Sequence, residues 1–288
     1  MKVANSARNL KNVAELMKWK LSAAVAFSSV TGYFLCAGGA DGKLPVVAGG
    51  VFLLASGSAA LNQFTERKSD ALMQRTMHRP LPSNEMSTGM ALLLAAVLFF
   101  TGSILLALTG LIPLFLGLFN VVLYNVIYTG LKKKSALALI PGALVGAVPP
   151  LIGYTSAGGA ITDTGILLFA LFMFLWQLPH FWLLLIRYGR EYEKAGIKTI
   201  YGILNPVQIS RLVFFWIAGS SLLLWILTFV LLPLEVLPAV ILIILNTVFI
   251  ILFFRILFDF LNEKSLKNAF ILVNSFSLII MIILIVTS

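Results

Sequence analysis

The stretch LPVVAGGVFLLASGSAALNQFTERKSDALMQRTMHRPLPS, residues 44–83, decides what kind of fold this chain can form. Its first half is an apolar run of about 20 residues, the length a helix needs to cross a bilayer core. Its second half places Glu66, Arg67, Lys68, Asp70, Arg75, His78 and Arg79 directly behind that run. An apolar span that ends in a dense mixed-charge segment marks a membrane surface.

The rest of the chain repeats the pattern. It has 288 residues, 60% of them hydrophobic and only 11% charged, with a mean hydropathy of +1.00. A soluble domain carries about twice that charge. Apolar runs bounded by charge, Gly or Pro recur at 20–40, 45–64, 88–109, 111–131, 137–158, 164–187, 211–232, 236–258 and 268–287. The expected fold is all-α, a polytopic membrane protein with nine transmembrane helices, filling residues 1–288 as a single integral-membrane domain. Residues 1–19, with Lys2, Arg8, Lys11 and Lys18, read as an interfacial segment feeding an uncleaved first span.

Lys and Arg number 21 against 11 Asp and Glu, a net charge of +10. The basic residues lie between apolar runs and not on one patch, which argues against nucleic acid. With the nine runs threaded alternately, 20 of the 21 cationic residues fall on one face and only Lys43 on the other. The positive-inside rule makes that face cytoplasmic, with the N-terminus inside and the C-terminus outside. Eight of the 11 acids, Asp259 among them, share it, so chemistry is expected there. The single cysteine, Cys36, excludes an intrachain disulfide and a thiolate metal site.

Asn62, Glu66 and Asp70 stand at i, i+4 and i+8, one face of a helix. An amide and two carboxylates form an all-oxygen cluster suited to a hard cation such as Mg2+. Arg75 and Arg79 follow, and arginine grips phosphate oxygens. Together they suggest a Mg2+–diphosphate site, although a helix end entering the interface would also carry such residues. The segment LPHFWLLLIRYGREYEKAGIKTI, residues 178–200, sets Glu191 and Glu193 among Arg187, Arg190, Lys194 and Lys198. Residues 66–86 and 188–210 are expected as two charged loops closing on one diphosphate. In YNVIYTGLKKKS, residues 124–135, Tyr128 and Lys132 are one turn apart and able to reach inward together.

His180 lies inside the sixth apolar run, where an ionisable residue faces a cavity or a partner. It suits haem iron, or simple helix packing. His78 reads as solvated. In the fifth run, Gly142 and Gly146 have small-xxx-small spacing for close helix packing, and Pro149–Pro150 should bend the helix.

These residues resemble the UbiA superfamily of intramembrane prenyltransferases from about residue 15 to the end. Asn62 to Asp70 is similar to its first metal-binding motif, N-x-x-x-D-x-x-x-D, and the segment around Glu191 to its second. RTMHRPLPS, YTGLKKKS, VGAVPPLIGY, LPHFW and EYEKAGI resemble, in order and spacing, the branch that farnesylates haem b. Glu66 and Glu191 stand where that pattern has Asp, and Lys198–Thr199 where it has Pro-Met.

The resemblance implies helices around a central cavity opening to the cytoplasmic side of a bacterial inner membrane. It also implies Mg2+-dependent transfer of farnesyl from farnesyl diphosphate to a vinyl group of haem b, which is a substrate and not a resident cofactor. Asn62, Glu66, Asp70 and Glu191 would hold Mg2+; Arg75, Arg79, Lys132 and Arg190 would bind diphosphate. His180 would position haem and Tyr128 would orient the diphosphate. The implied partners are the lipid bilayer and, as candidates, a haem A synthase or terminal-oxidase assembly factors. A UbiA-type aromatic or quinone-precursor prenyltransferase is the nearest rival, and a transporter or non-catalytic haem carrier the rival from another class.

Overall fold

A computed structural model describes residues 2–200, 203–228, 236–257 and 262–288. Its elements are helices throughout: α1 (Lys2–Leu16), α2 (Trp19–Ala37), α3 (Leu44–Asp70), α4 (Thr88–Thr109) and α5 (Leu111–Leu131), then α6 (Leu139–Ser156), α7 (Thr164–Lys194), α8 (Pro206–Ile226), α9 (Val236–Leu257) and α10 (Glu263–Thr287). Among the described residues, α2 to α10 supply nine helices long and apolar enough to cross a membrane. The nine expected runs each find a helix; residues 229–232 and 258, at the ends of two of those runs, and Asp259 lie outside the described residues.

The largest differences fall at the charged ends. The second run was expected to stop at 64, yet α3 continues to Asp70. The sixth was expected to stop at 187, yet α7 continues to Lys194. Charge ends an apolar run but not a helix, because Glu, Arg and Lys are good helix formers. The expected loop 188–210 therefore begins as nearly two turns of helix, and the other charged loop begins at Ala71 and not at Glu66.

Helix contacts follow small residues. A Cβ on Gly153 of α6 would lie 1.8 Å from the Ser29 carbonyl oxygen, and one on Gly32 of α2 would lie 2.0 Å from that of Pro150. The two backbones therefore touch, the arrangement that replaces the hydrophobic effect as the source of helix association in lipid. Gly142 and Gly146 do something else. Cβ atoms there would meet the Tyr128 ring at 2.8 Å and the Gln177 side chain at 3.2 Å. They make room for side chains instead of a neighbouring backbone.

The α6 helix runs through Pro149 and Pro150. Proline lacks the N–H that would bond the carbonyl four residues back, and the Val145 carbonyl left over by Pro149 accepts from Asn120 Nδ2 on α5 at 3.1 Å. Aromatic rings lock the C-terminal half: Phe249 of α9 stacks on Phe276 of α10 at 4.1 Å, and both lie 5.3 Å from Trp176 of α7. Phe100, Leu108, Phe115 and Phe215 point outward and are exposed, as lipid-facing side chains should be.

Candidate active site

A cavity of about 500 Å3 opens between the helices, within the range of small-molecule sites. Its polar end begins on α3. Asn62, Glu66 and Asp70 share one face, line the cavity and are all buried, at 2%, 6% and 1% exposure. Asn62 Nδ2 donates to Glu66 Oε2 at 3.1 Å, while its Oδ1 lies 3.1 Å from the Thr129 hydroxyl on α5. Glu66 is paired with Lys132, and Asp70 with Arg79 at 2.7 Å. The Thr76 hydroxyl bonds the Asp70 carbonyl at 2.9 Å and folds the following turns back toward the helix end.

Five cationic side chains line the cavity, Lys18, Arg75, Arg79, Lys132 and Lys198, against two carboxylates, Glu66 and Asp70. A partly buried site with that surplus calls for a polyvalent anion. Arg75 donates to the Tyr192 hydroxyl at 3.3 Å and lies over the Tyr188 and Tyr192 rings, so the end of α7 steers it. The Lys198 N–H donates to the Lys132 carbonyl at 3.0 Å and ties the segment after α7 to the end of α5. Lys18 enters from the junction of α1 and α2 with a left-handed backbone, φ 44°. Burial pushes its ammonium down to about 7, Arg79 and Lys132 push the same way, and Glu66 and Asp70 oppose them.

Tyr128 is aimed by a local irregularity. Within α5, residues Leu123–Tyr128 form a π turn, which inserts one residue into the helical count and is frequent at functional sites. The turn stacks Tyr124 on Tyr128 at 5.7 Å, with Phe181 of α7 6.2 Å beyond and the Lys132 ammonium 5.2 Å from the Tyr128 ring. Much of the remaining lining is apolar, with Leu21, Val25, Val51, Leu54, Met173 and Ile152. His180 and Asn274 face the cavity where α7 meets α10, their Nδ1 and Oδ1 2.9 Å apart.

Of the residues singled out from sequence, Asn62, Glu66, Asp70, Arg75, Arg79, Tyr128, Lys132 and His180 converge on this cavity. Arg190 is exposed and Glu191 half-buried, and neither lines it; the next residue, Tyr192, takes the wall position. His78, Lys133 and Lys134 are exposed, as solvated residues should be. Sequence reading missed Lys18, Tyr192, Gln177 and Asn274 as lining residues. Lys18 was visible only as one of several basic residues before the first span. Asn274 carried one signal, an amide inside an apolar helix, where a polar side chain needs a partner.

Among the described residues no three His, Cys, Asp or Glu side chains converge closely enough to enclose an ion by themselves. The donors nevertheless suit Mg2+, which takes one or two carboxylates and completes its shell with water and substrate phosphates. Glu191 Oε2 is buried without a hydrogen-bond partner, an acceptor that a cation or water would satisfy.

The profile of the UbiA prenyltransferase family matches residues 25–283. A protoheme IX farnesyltransferase of Geobacter sulfurreducens is 42% identical over 212 residues, 73% of this chain and 78% of that protein. One of Oleidesulfovibrio alaskensis is 35% identical over 224 residues, 76% of this chain and 77% of that protein. Among solved structures, a digeranylgeranylglyceryl phosphate synthase superposes with a TM-score of 0.77 at 17% identity, covering 96% of this chain and 98% of its own. A UbiA homolog of Archaeoglobus fulgidus bound to GPP and Mg2+ superposes at 0.68 with 14% identity, covering 95% and 99%. Matched along nine-tenths of its length by the family profile and in its fold by these structures, the chain belongs to the UbiA prenyltransferase family.

Proposed function

We propose that the chain transfers the farnesyl group of farnesyl diphosphate to a vinyl group of haem b, water adding to complete a hydroxyethylfarnesyl side chain and diphosphate leaving. The observation that carries the reading is the polarity of one cavity, with a surplus of cations at one end, apolar side chains over much of the remaining wall, and His180 among the lining residues. An amphipathic prenyl diphosphate fits that gradient in one orientation only. The relatives named as protoheme IX farnesyltransferases support haem b as the acceptor.

Asn62, Glu66 and Asp70, and by the family resemblance Glu191 with its unpartnered Oε2, would hold Mg2+, which when bound neutralises the departing diphosphate. The pairs Lys132–Glu66 and Arg79–Asp70 keep both sets of charges in place before substrate arrives. With Mg2+ and substrate bound, Glu66 and Asp70 would serve the metal, leaving Lys132 and Arg79 to hold phosphate oxygens. Stabilising the leaving group promotes ionisation of the allylic C–O bond. The stacked Tyr124 and Tyr128 rings offer π faces to the cation that results. The apolar walls limit quenching by water. His180, one ring away from Tyr128 through Phe181, takes haem through its imidazole, which brings a vinyl group toward the allylic carbon. Arg190, exposed and off the wall, has no part in this reading. The chain lies in a cytoplasmic membrane with the charged face inward.

The test is turnover of the detergent-purified chain with Mg2+, haem b and farnesyl diphosphate, products read by mass, alongside Glu66→Ala and Glu66→Asp. A farnesylated haem adduct is expected, lost in Glu66→Ala and retained in Glu66→Asp, which keeps the charge. Prenylation of an added aromatic acid instead of haem overturns the reading.

A further inference from the structure

Asn274 of α10 lies three spans after α7, the last helix to carry a motif that marks the family, yet it faces the same cavity as His180. Its amide Nδ2 donates to the Phe270 carbonyl at 2.6 Å, one turn back on its own helix. Its other amide atom lies 2.9 Å from His180 Nδ1. Hydrogen-bond polarity then admits a single arrangement. A carbonyl oxygen only accepts, so the atom facing Phe270 is the NH2 group and the atom facing His180 is Oδ1. Oδ1 also only accepts, so His180 Nδ1 carries the proton. The Nε2 lone pair is thereby left free.

The rest of the surroundings agrees. The hydrogen bond through Nδ1 is the only one the His180 side chain makes among the described residues. Its ring is held by Phe270, 4.8 Å away, and edge-on by Phe181 at 5.8 Å. Phe270, Asn274 and Ser277 follow helical spacing on α10, and the last two line the cavity beside His180. Here α10 acts as a brace for one imidazole. A metal-ligating histidine usually donates its second nitrogen to a carbonyl or carboxylate, which fixes the ring and raises its basicity.

We infer that Asn274 is the positioning residue that holds His180 in its Nδ1–H tautomer, so that Nε2 is presented to the iron of the haem acceptor. Resting on the haem reading above, the inference assigns to α10 the work of orienting the acceptor while α3 and α5 hold the diphosphate. Asn274 touches neither reacting atom. It acts through His180, and its loss should change the iron–histidine bond before it changes anything at the diphosphate end.

The experiment titrates ferrous haem b into the full-length chain in detergent and records the iron–histidine stretching band by resonance Raman. The set is the unaltered chain, His180→Ala, Asn274→Leu, Asn274→Ala and Asn274→Asp. A farnesyl thiodiphosphate binding assay confirms that each variant is folded. The unaltered chain should show the band and His180→Ala should lack it. Asn274→Leu and Asn274→Ala should lower its frequency and weaken haem binding by about tenfold or more. Asn274→Asp, which keeps an acceptor oxygen, should hold the band at or above its original frequency. A band lost in His180→Ala but unmoved in the Asn274 variants overturns the role of Asn274 and leaves the haem reading standing. Spectra identical with and without the His180 imidazole overturn the haem ligand itself.

Discussion

Lys18 joins the interfacial helix to the first span in a left-handed backbone that side chains adopt at a cost of about 1 kcal/mol or more. A strained residue carrying a charge into a cavity points to use of that charge. With its ammonium pushed down to about 7, the proton leaves Lys18 as pH rises through neutrality, and an anion binds the protonated form better. Affinity for farnesyl thiodiphosphate should therefore fall between about pH 6 and about pH 8, and by more than in Lys18→Arg, whose charge does not titrate there. Calorimetric titration across that range checks it; equal pH slopes for the two proteins remove Lys18 from the anion site. The unfolded chain holds the Lys18 proton up to its ordinary 10.5, so stability should also climb with pH above about 7. At this scale, sequence made legible the residues bound together by helical spacing, Asn62, Glu66 and Asp70. It did not reveal Lys18, Tyr192 or Asn274, because what brings them to the site is the packing of different helices and not any spacing along one.

Helix ends and irregular turns aim the site, and these are what periodicity reads least well. The π turn at Leu123–Tyr128 leaves no trace in an apolar run, yet it sets the rotation of Tyr128 and Lys132 relative to Asn120. Deleting Val126, which is exposed, removes the extra residue and should leave an unbroken α-helix with Tyr128 and Lys132 still in phase, whereas inserting one alanine after the exposed Gly130 should turn Lys132 by about 100°. Helix content by circular dichroism should hold in both while turnover survives the deletion and drops by about 100-fold in the insertion; an active insertion variant would show that the phase of this helix does not place the site. The α2–α6 contact makes a different prediction. Gly153→Ala puts a Cβ against the Ser29 carbonyl and forces the backbones apart, whereas at Gly219 nothing lies within 4 Å of an added Cβ. Gly153→Ala should cost about 1–3 kcal/mol and Gly219→Ala should gain up to about 1 kcal/mol, measured by thermal unfolding in detergent. The Gly142–Gly146 spacing looked like the same device in the sequence. Only the fold shows that these two glycines clear space for Tyr128 and Gln177.

Across the whole molecule the two ends differ in chemistry. The cations and carboxylates that line the cavity gather at one end, while the opposite end carries small polar pairs such as Tyr33 with Asp41 and Tyr154 with Asp163. A farnesyl diphosphate held in the leaflet on the cationic side would have its headgroup toward Arg75 and Arg79, which line the cavity, and its tail in lipid. It would enter sideways without its diphosphate crossing lipid, where burying charge is costly. That economy holds only if the cationic end faces the cytoplasm, the orientation we propose from the Lys and Arg distribution. In a Cys36→Ser background, single cysteines placed by Ser83→Cys at the charged end and by Ala160→Cys between α6 and α7 report the two faces, since both positions are exposed. A membrane-impermeant maleimide on cells with a permeabilised outer envelope should label Ala160→Cys at once and Ser83→Cys only after the inner membrane is broken. The reverse pattern would place the diphosphate end outside, separate it from a cytoplasmic supply of prenyl diphosphate, and leave the proposed reaction without a donor.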